Sequence, residues 1–232
     1  MKPFSFKNFN IQQQKNVFRV GTDGVLLGAL ANVNGALKAL EVGTGTCLIS
    51  LMLAQRNSQA DFLGIDINPD AADLTGINFK NSPFHLRLKN ILQDLKIFET
   101  EEKFDLIVSN PPYFEESSSE KDKTARQTVE LNFNQLISKS AKLLSDKGTF
   151  SVIIPAEAGV YFIKTARENQ LFLSRKINIR GIENSAVKRF ILEFSLQENN
   201  FEESEFIIEK SPRQYSDQYL ELTKEFHVFK AN

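Results

Sequence analysis

The chain has 232 residues, 41% of them apolar and 25% charged, with a formal net charge of -1. That length fits one domain with a large core, and the near-neutral balance gives no overall pull toward nucleic acid. One cysteine, Cys47, excludes an internal disulfide, and the distant His85 and His227 offer no metal-ligand spacing, so neither a metal nor a histidine-based triad is expected. No apolar run reaches the roughly 18 residues of a membrane span and no basic-then-apolar leader is present, which makes the cytoplasm the default location.

In chain order, Phe4, Phe6 and Phe9 alternate with polar residues as a short strand would, and Val25 to Ala31 reads as a small helix. Leu37 to Val42 is a first buried strand, broken by Gly43-Thr44-Gly45 before a helical pattern from Leu48 to Arg56. Phe62 to Asp66 is a second strand. Asn68-Pro69 then supplies a cap and a first-turn proline for a helix to about Lys80. Phe84 to Leu88 alternates as a third strand, Phe104 to Ser109 is the fourth, and Phe150 to Ile154 the fifth, after a helix near Asn134 to Leu144. Leu171 to Ile179 and Arg189 to Leu196 are joined too closely for a helical crossover and should pair antiparallel. The expectation is an α/β, Rossmann-like, seven-stranded and mostly parallel sheet that ends in an antiparallel hairpin, with helices on both faces. Residues 1–32 read as an extension packed on a catalytic domain over 33–232.

The most informative motif is Asn110-Pro111-Pro112-Tyr113, directly after the fourth strand. Ligands of open α/β sheets bind at the carboxyl ends of strands. Two prolines stiffen the backbone in an extended form. The Asn110 amide oxygen and the Pro111 carbonyl can then accept two hydrogen bonds from one planar NH2 group, with Tyr113 as a ring to stack on. The polar, serine-rich stretch Phe114 to Glu130 that follows reads as a solvated loop placed to cover the site.

Glu41-Val42-Gly43-Thr44-Gly45 at the first strand-to-helix turn lets a ligand approach the backbone closely. A dinucleotide fingerprint would want a third small residue where this chain has Leu48, and Glu41 suits a ligand with a cationic amine. Asp66 closes the second strand where a ribose diol is expected, with a helix cap as the plainer alternative. Asn90 follows the expected third strand and offers its amide to an adenine edge, which Ile67 and Ile91 would sandwich. Cys47 reads as a small buried residue and not a nucleophile, since no histidine is placed to activate it. His85 reads as structural, and most of the phenylalanines as core.

Glu-x-Gly-x-Gly, the second-strand Asp66 and the fourth-strand Asn-Pro-Pro-Tyr together resemble an S-adenosylmethionine-dependent amino-methyltransferase. Val20-Gly21-Thr22-Asp23-Gly24-Val25-Leu26-Leu27-Gly28-Ala29, Leu51-Met52-Leu53-Ala54-Gln55-Arg56 and Tyr215-Ser216-x-x-Tyr219-x-x-Leu222-Thr223 make the chain similar to the bacterial valine-tRNA adenine-N6 methyltransferases, which modify adenine 37 beside the anticodon. The resemblance implies S-adenosylmethionine as cofactor and tRNA as partner. It implies a cofactor site of Thr22, Glu41, Gly43, Gly45, Asp66, Ile67, Asn90 and Ile91, and a target-adenine site of Asn110, Pro111, Pro112 and Tyr113. Relatives often carry aspartate where this chain has Asn90, which bears on cofactor affinity.

The charges are segregated. Lys2, Lys7, Lys15 and Arg19 have no acid among them, residues 164–189 hold seven basic side chains against Glu168 and Glu183, and residues 193–209 hold six glutamates and no Lys or Arg. An opposed basic and acidic face is expected, with Arg175, Lys176, Arg180, Lys188 and Arg189 meeting tRNA phosphates, and Phe114 and Arg126 contacting substrate. The assembly expected is a monomer or weak dimer, without metal or membrane. Rival readings are a protein glutamine-N5 methyltransferase, which usually has a helical domain before the first sheet strand, a ribosomal RNA guanine-N2 methyltransferase, a nicotinamide oxidoreductase that leaves the proline motif unused, and a non-catalytic RNA-binding protein.

Overall fold

In the computed structural model of the chain, which describes residues 1–112, 133–198 and 200–227, the apolar runs form the middle of a single sheet. A short antiparallel ribbon, β1 (Phe4–Ser5) and β2 (Asn10–Ile11), and helix α1 (Thr22–Leu30) come first. Strands and helices then alternate through β3 (Lys38–Val42), α2 (Leu48–Arg56), β4 (Asp61–Asp66), α3 (Pro69–Lys80), β5 (Leu88–Leu92) and β6 (Phe104–Ser109). Residues 133–143 form α4. The chain continues through β7 (Leu144–Pro155), α5 (Gly159–Glu168), β8 (Phe172–Ile182), β9 (Val187–Ser195), β10 (Glu202–Ser211), β11 (Gln214–Tyr215) and α6 (Asp217–Thr223).

The sheet order is β5-β4-β3-β6-β7-β9-β8-β10-β11. Only β9 and β11 run against their neighbours. The middle strands are buried on both faces, which is why they read as unbroken apolar runs. Leu106, Val108 and Ile153 face a core shared with α1 and α2, whereas Leu40, Ile107, Phe150 and Val152 face one shared with α4 and α5. From β3 the chain steps outward to β4 and β5, then returns to place β6 on the other side of β3. The carboxyl ends of β3 and β6 therefore flank the switch point, where an open α/β sheet leaves a crevice.

Most element boundaries match the sequence expectation to within three residues, but β7 begins at Leu144, six residues before the expected Phe150, the expected strand over Phe4 to Phe9 is the ribbon β1–β2, and three further points differ. Among the described residues the sheet has nine strands rather than seven: it does not end at the β8–β9 hairpin, because acidic β10 adds in parallel to β8 and carries β11. Helix α5 was not anticipated. It is amphipathic, with Phe162 and Ala166 in the core beside exposed Val160 and Glu168. The third strand begins at Leu88, four residues late, since His85-Leu86-Arg87 form a 3-10 turn. The Arg87 guanidinium draws that turn against the end of α2 by donating to the carbonyls of Ala54 (2.9 Å) and Asn57 (3.0 Å), leaving Leu86 in solvent. No helix among the described residues is long and apolar enough to cross a membrane.

Candidate active site

The crevice between β3 and β6 opens into a cleft of about 970 Å3. Its floor is the turn after β3, where Gly43 and Gly45 have φ of +74° and +52°, values that favour glycine. A Cβ built on Gly43 would meet nothing within 4 Å, so the turn presents bare backbone to the cleft. Gly45 N–H donates to Asp66 Oδ2 at 2.9 Å, and Thr75 Oγ1 donates to the Gly45 carbonyl at 3.1 Å. The loop is thus fixed from β4 and from α3. Asp66 also accepts from Asn68 N–H on Oδ1 (2.9 Å), which holds the turn ahead of α3, but the N-cap of that helix is Asn68 and not Asp66. Each carboxylate oxygen keeps a second lone pair, and the residue lines the cleft.

Glu41 lies beneath this loop, 1% exposed, where it accepts from Ser50 N–H at 3.0 Å and from the Ser50 hydroxyl. Burial pushes its carboxyl up to about 8; the two Ser50 bonds act against that shift and the nearby Asp66 adds to it. A carboxyl that close to neutral pH beside an open cleft changes charge when a cation arrives. Cys47, in the left-handed region (φ +61°) at the start of α2, is fully buried, and burial pushes its thiol up, with Glu41 adding. That environment disfavours the thiolate a nucleophile needs.

The opposite wall is the end of β6. Val42 pairs with Ser109 across the β3–β6 ladder, and the Ser109 hydroxyl donates to the Val42 carbonyl at 2.9 Å. Asn110, Pro111 and Pro112 follow and line the same cleft as Gly43, Gly45 and Asp66. The third wall is the segment from Asn16 to Gly24, which brings Thr22 to the cleft, with Asp23 paired to Arg189 (Nε to Oδ2, 3.1 Å).

Of the residues singled out in the sequence, Thr22, Glu41, Gly43, Gly45, Asp66, Ile67, Asn110, Pro111 and Pro112 all line this cleft. Tyr113, Phe114 and Arg126, with the rest of the expected loop, lie outside the described residues. Asn90 and Ile91 are not part of the cleft lining. Because the strand starts late, Asn90 sits inside β5, and its amide donates to the Ala72 carbonyl of α3 at 2.7 Å. Gln93, Asp94 and Leu95 occupy the strand end instead and line the cleft. Asp94 was missed. An aspartate after the strand was the available signal, and the misplaced boundary hid it.

The expected basic face is also corrected. Arg175 pairs with Glu193 (3.3 Å), Lys176 with Glu203 (2.9 Å) while lying over the Phe190 ring (4.6 Å), and Arg180 with Glu205 (2.9 Å). The acidic stretch is the strand next to the basic one, not an opposing face. Arg189 turns into the cleft rather than onto an outer surface. Lys188 stays exposed, as do Lys2, Lys7, Lys15 and Arg19.

Residues 9–169 match the methyltransferase small domain family. The tRNA1(Val) (adenine(37)-N6)-methyltransferase of Flavobacteriaceae bacterium (strain 3519-10) is 56% identical over 230 residues, covering 99% of this chain and 100% of that protein. This chain belongs to that methyltransferase family. A relative with the same name from Phocaeicola vulgatus is 42% identical, with 97% of each chain covered. Among solved structures, a predicted O-methyltransferase from Agrobacterium tumefaciens matches with a TM-score of 0.70 at 14% identity, covering 88% of this chain and 96% of that one. A methyltransferase from Pyrococcus furiosus matches with a TM-score of 0.62 at 16% identity, covering 82% and 90%. At those identities the likeness is one of fold, and it is the fold of methyltransferases. In this chain the glycine turn and the Asn110-Pro111-Pro112 corner line one cleft.

Proposed function

We propose that this protein transfers a methyl group from S-adenosylmethionine to the exocyclic N6 of adenine 37 in a valine tRNA, the reaction its relatives are named for. The observation that carries the reading is the shared cleft: a glycine turn, a strand-end carboxylate and the Asn110-Pro111-Pro112 corner face one space.

The cleft fits the cofactor on its own chemistry. Bare backbone at Gly43 admits the close approach of a bulky ligand, and Asp66 has lone pairs for a ribose diol. Asp94, exposed Ile67 and half-buried Leu95 offer a carboxylate and apolar walls to an adenine. Buried Glu41 answers a cationic amine by ionising. When bound, the cofactor supplies a methyl already activated on a sulfonium.

The protein's part is positioning. The Asn110 amide oxygen and the Pro111 carbonyl accept the two N–H bonds of the target amine and stabilise the positive charge that grows on its nitrogen as the methyl arrives. Alignment of this kind contributes on the order of 7 to 11 kcal/mol. The surplus proton on nitrogen leaves to solvent afterwards, so no strong base is required. Tyr113 stacks on the base. Such a site accepts only a nucleotide out of its stack, which an anticodon loop presents at low cost. The enzyme acts in the cytoplasm as a monomer or weak dimer, without a metal.

Incubation with labelled cofactor and a mixture of unmodified tRNA, ribosomes and release factor tests this. The label is expected in valine tRNA as N6-methyladenosine. Label in release-factor glutamine or in ribosomal N2-methylguanosine overturns it.

A further inference from the structure

The segment from Lys15 to Gly21 forms one rim of the cleft, and its parts point in different directions. Val17 is buried against Ala71 and Leu74 of α3. Asn16 Nδ2 donates to Asp70 Oδ2 at 3.3 Å, and Val20 N–H donates to Gln13 Oε1 at 3.3 Å. Gly21 caps α1, which packs on α2. The backbone is therefore tied down on both sides of Phe18, yet the Phe18 side chain is 79% exposed while lining the cleft.

The other phenylalanines of the N-terminal stretch turn inward. Phe4, Phe6 and Phe9 form a cluster of rings that Phe6 extends to His227. Among the described residues the Phe18 ring has no aromatic or cationic partner, and no described phenylalanine is more exposed. Its neighbours Lys15 and Arg19 are exposed and make no ion pair among the described residues. A flat apolar ring on a fixed backbone, flanked by two cations, matches single-stranded nucleic acid: a base for the ring, phosphates for the charges.

We infer that Phe18 is a stacking platform for the nucleotide next to the methylated adenine, with Arg19 and Lys15 holding the adjoining phosphates. The inference rests on the RNA reading of the site and supplies what that reading lacks. Withdrawing one base into a cleft uncovers a face of its neighbour in the loop, and that face then needs a substitute for the lost stack. Phe18 stands at the mouth from which such a neighbour would project. Phe18 Cβ lies close over Gly45 of the cleft floor while most of its side chain stays in solvent, so the cofactor titration in the test separates a stack on an RNA base from a contact with the cofactor.

The test uses the full chain and a valine anticodon stem-loop with 2-aminopurine in place of each nucleotide beside the target in turn. Wild type should quench one of these probes on binding, a readout that does not require methyl transfer. Phe18→Ala should abolish the quench and raise the KM for the stem-loop roughly 10-fold, with cofactor affinity measured by titration unchanged and Phe18→Trp restoring both readouts. Phe18→Leu should behave like Phe18→Ala, since the plane and not the greasiness is at issue. Arg19→Ala should flatten the salt dependence of binding. Wild-type Phe18 that quenches neither probe, an unchanged KM in Phe18→Ala, or a fall in cofactor affinity in that variant would each overturn the inference. Methylation of the unlabelled stem-loop by wild type tests the activity separately, so the two readings fail independently.

Discussion

The Ser109 hydroxyl donates to the Val42 carbonyl at 2.9 Å, joining the last residue of β6 to the last residue of β3. Asn110 follows one partner and Gly43 the other, so this side-chain bond reinforces the strand ladder where the two walls of the cleft begin. Ser109→Ala removes that tie and leaves the strands paired. A neutral hydrogen bond of this kind is worth about 0.5 to 1.5 kcal/mol. The turnover number should fall about 2- to 10-fold with cofactor affinity nearly unchanged, a split that steady-state kinetics and calorimetric titration resolve.

Asn110→Ala is the sharper change on the same wall. It removes an acceptor for the target amine and touches none of the bonds that hold the glycine turn, which run from Asp66 and Thr75. Turnover should be lost while the cofactor still binds with near wild-type affinity. An equal loss of both in titration would place Asn110 in the donor half instead.

Glu41 makes binding depend on pH. Its folded pKa of about 8 lies above the ordinary 4.5, so the folded state holds a proton that the unfolded chain releases. The sign follows from linkage: stability from this group is fully present below about 4.5 and is lost as pH rises through about 8. Without ligand, wild type should lose stability over that window, and Glu41→Gln should flatten the curve in thermal melts. A cation in the cleft favours the carboxylate, so cofactor binding near pH 7 should release protons. Calorimetry in buffers of different ionisation enthalpy measures that release, and Glu41→Gln should abolish it.

The donor half was legible where glycine and proline punctuate the chain. Positive φ at Gly43 and Gly45, and Asn68-Pro69 at the start of α3, are local requirements that the residue types announce. Asn68 caps through Oδ1 to Asp70 N–H at 2.9 Å, as its position suggested. Long-range partners were not legible. Arg87 reaches 33 residues back to the Ala54 carbonyl and so shifts the start of β5, and no local pattern reports such a bond. The pairing of β10 with β8 is of the same kind: a run of glutamates looks like solvated surface until Lys176 and Arg180 lie across from it.

That pairing bears on RNA binding. Lys176 and Arg180 are already neutralised by Glu203 and Glu205, and Lys176 also lies over Phe190. Lys176→Ala should therefore leave the KM for tRNA unchanged, whereas Lys188→Glu, altering an exposed lysine with no ion pair among the described residues, should raise it in a salt-dependent way. Steady-state assays at two salt concentrations separate the two cases.

The late start of β5 sets a last pair of variants against each other. If the end of that strand meets the cofactor's adenine, the residue that matters is Asp94, which lines the cleft, and not Asn90, whose amide is engaged by the Ala72 carbonyl of α3. Asn90→Ala should cost about 1 kcal/mol of stability, because it removes the side-chain bond that ties β5 to the Ala72 carbonyl of α3, and should spare cofactor affinity. Asp94→Ala should do the reverse, weakening the cofactor about 10-fold or more, the size expected for a hydrogen bond to a charged group. Its own cap, Oδ1 to Lys96 N–H at 2.9 Å, sits in an exposed turn whose loss the fold tolerates. Melting temperature and titration on both proteins decide between the two residues, since each variant moves one quantity and leaves the other in place.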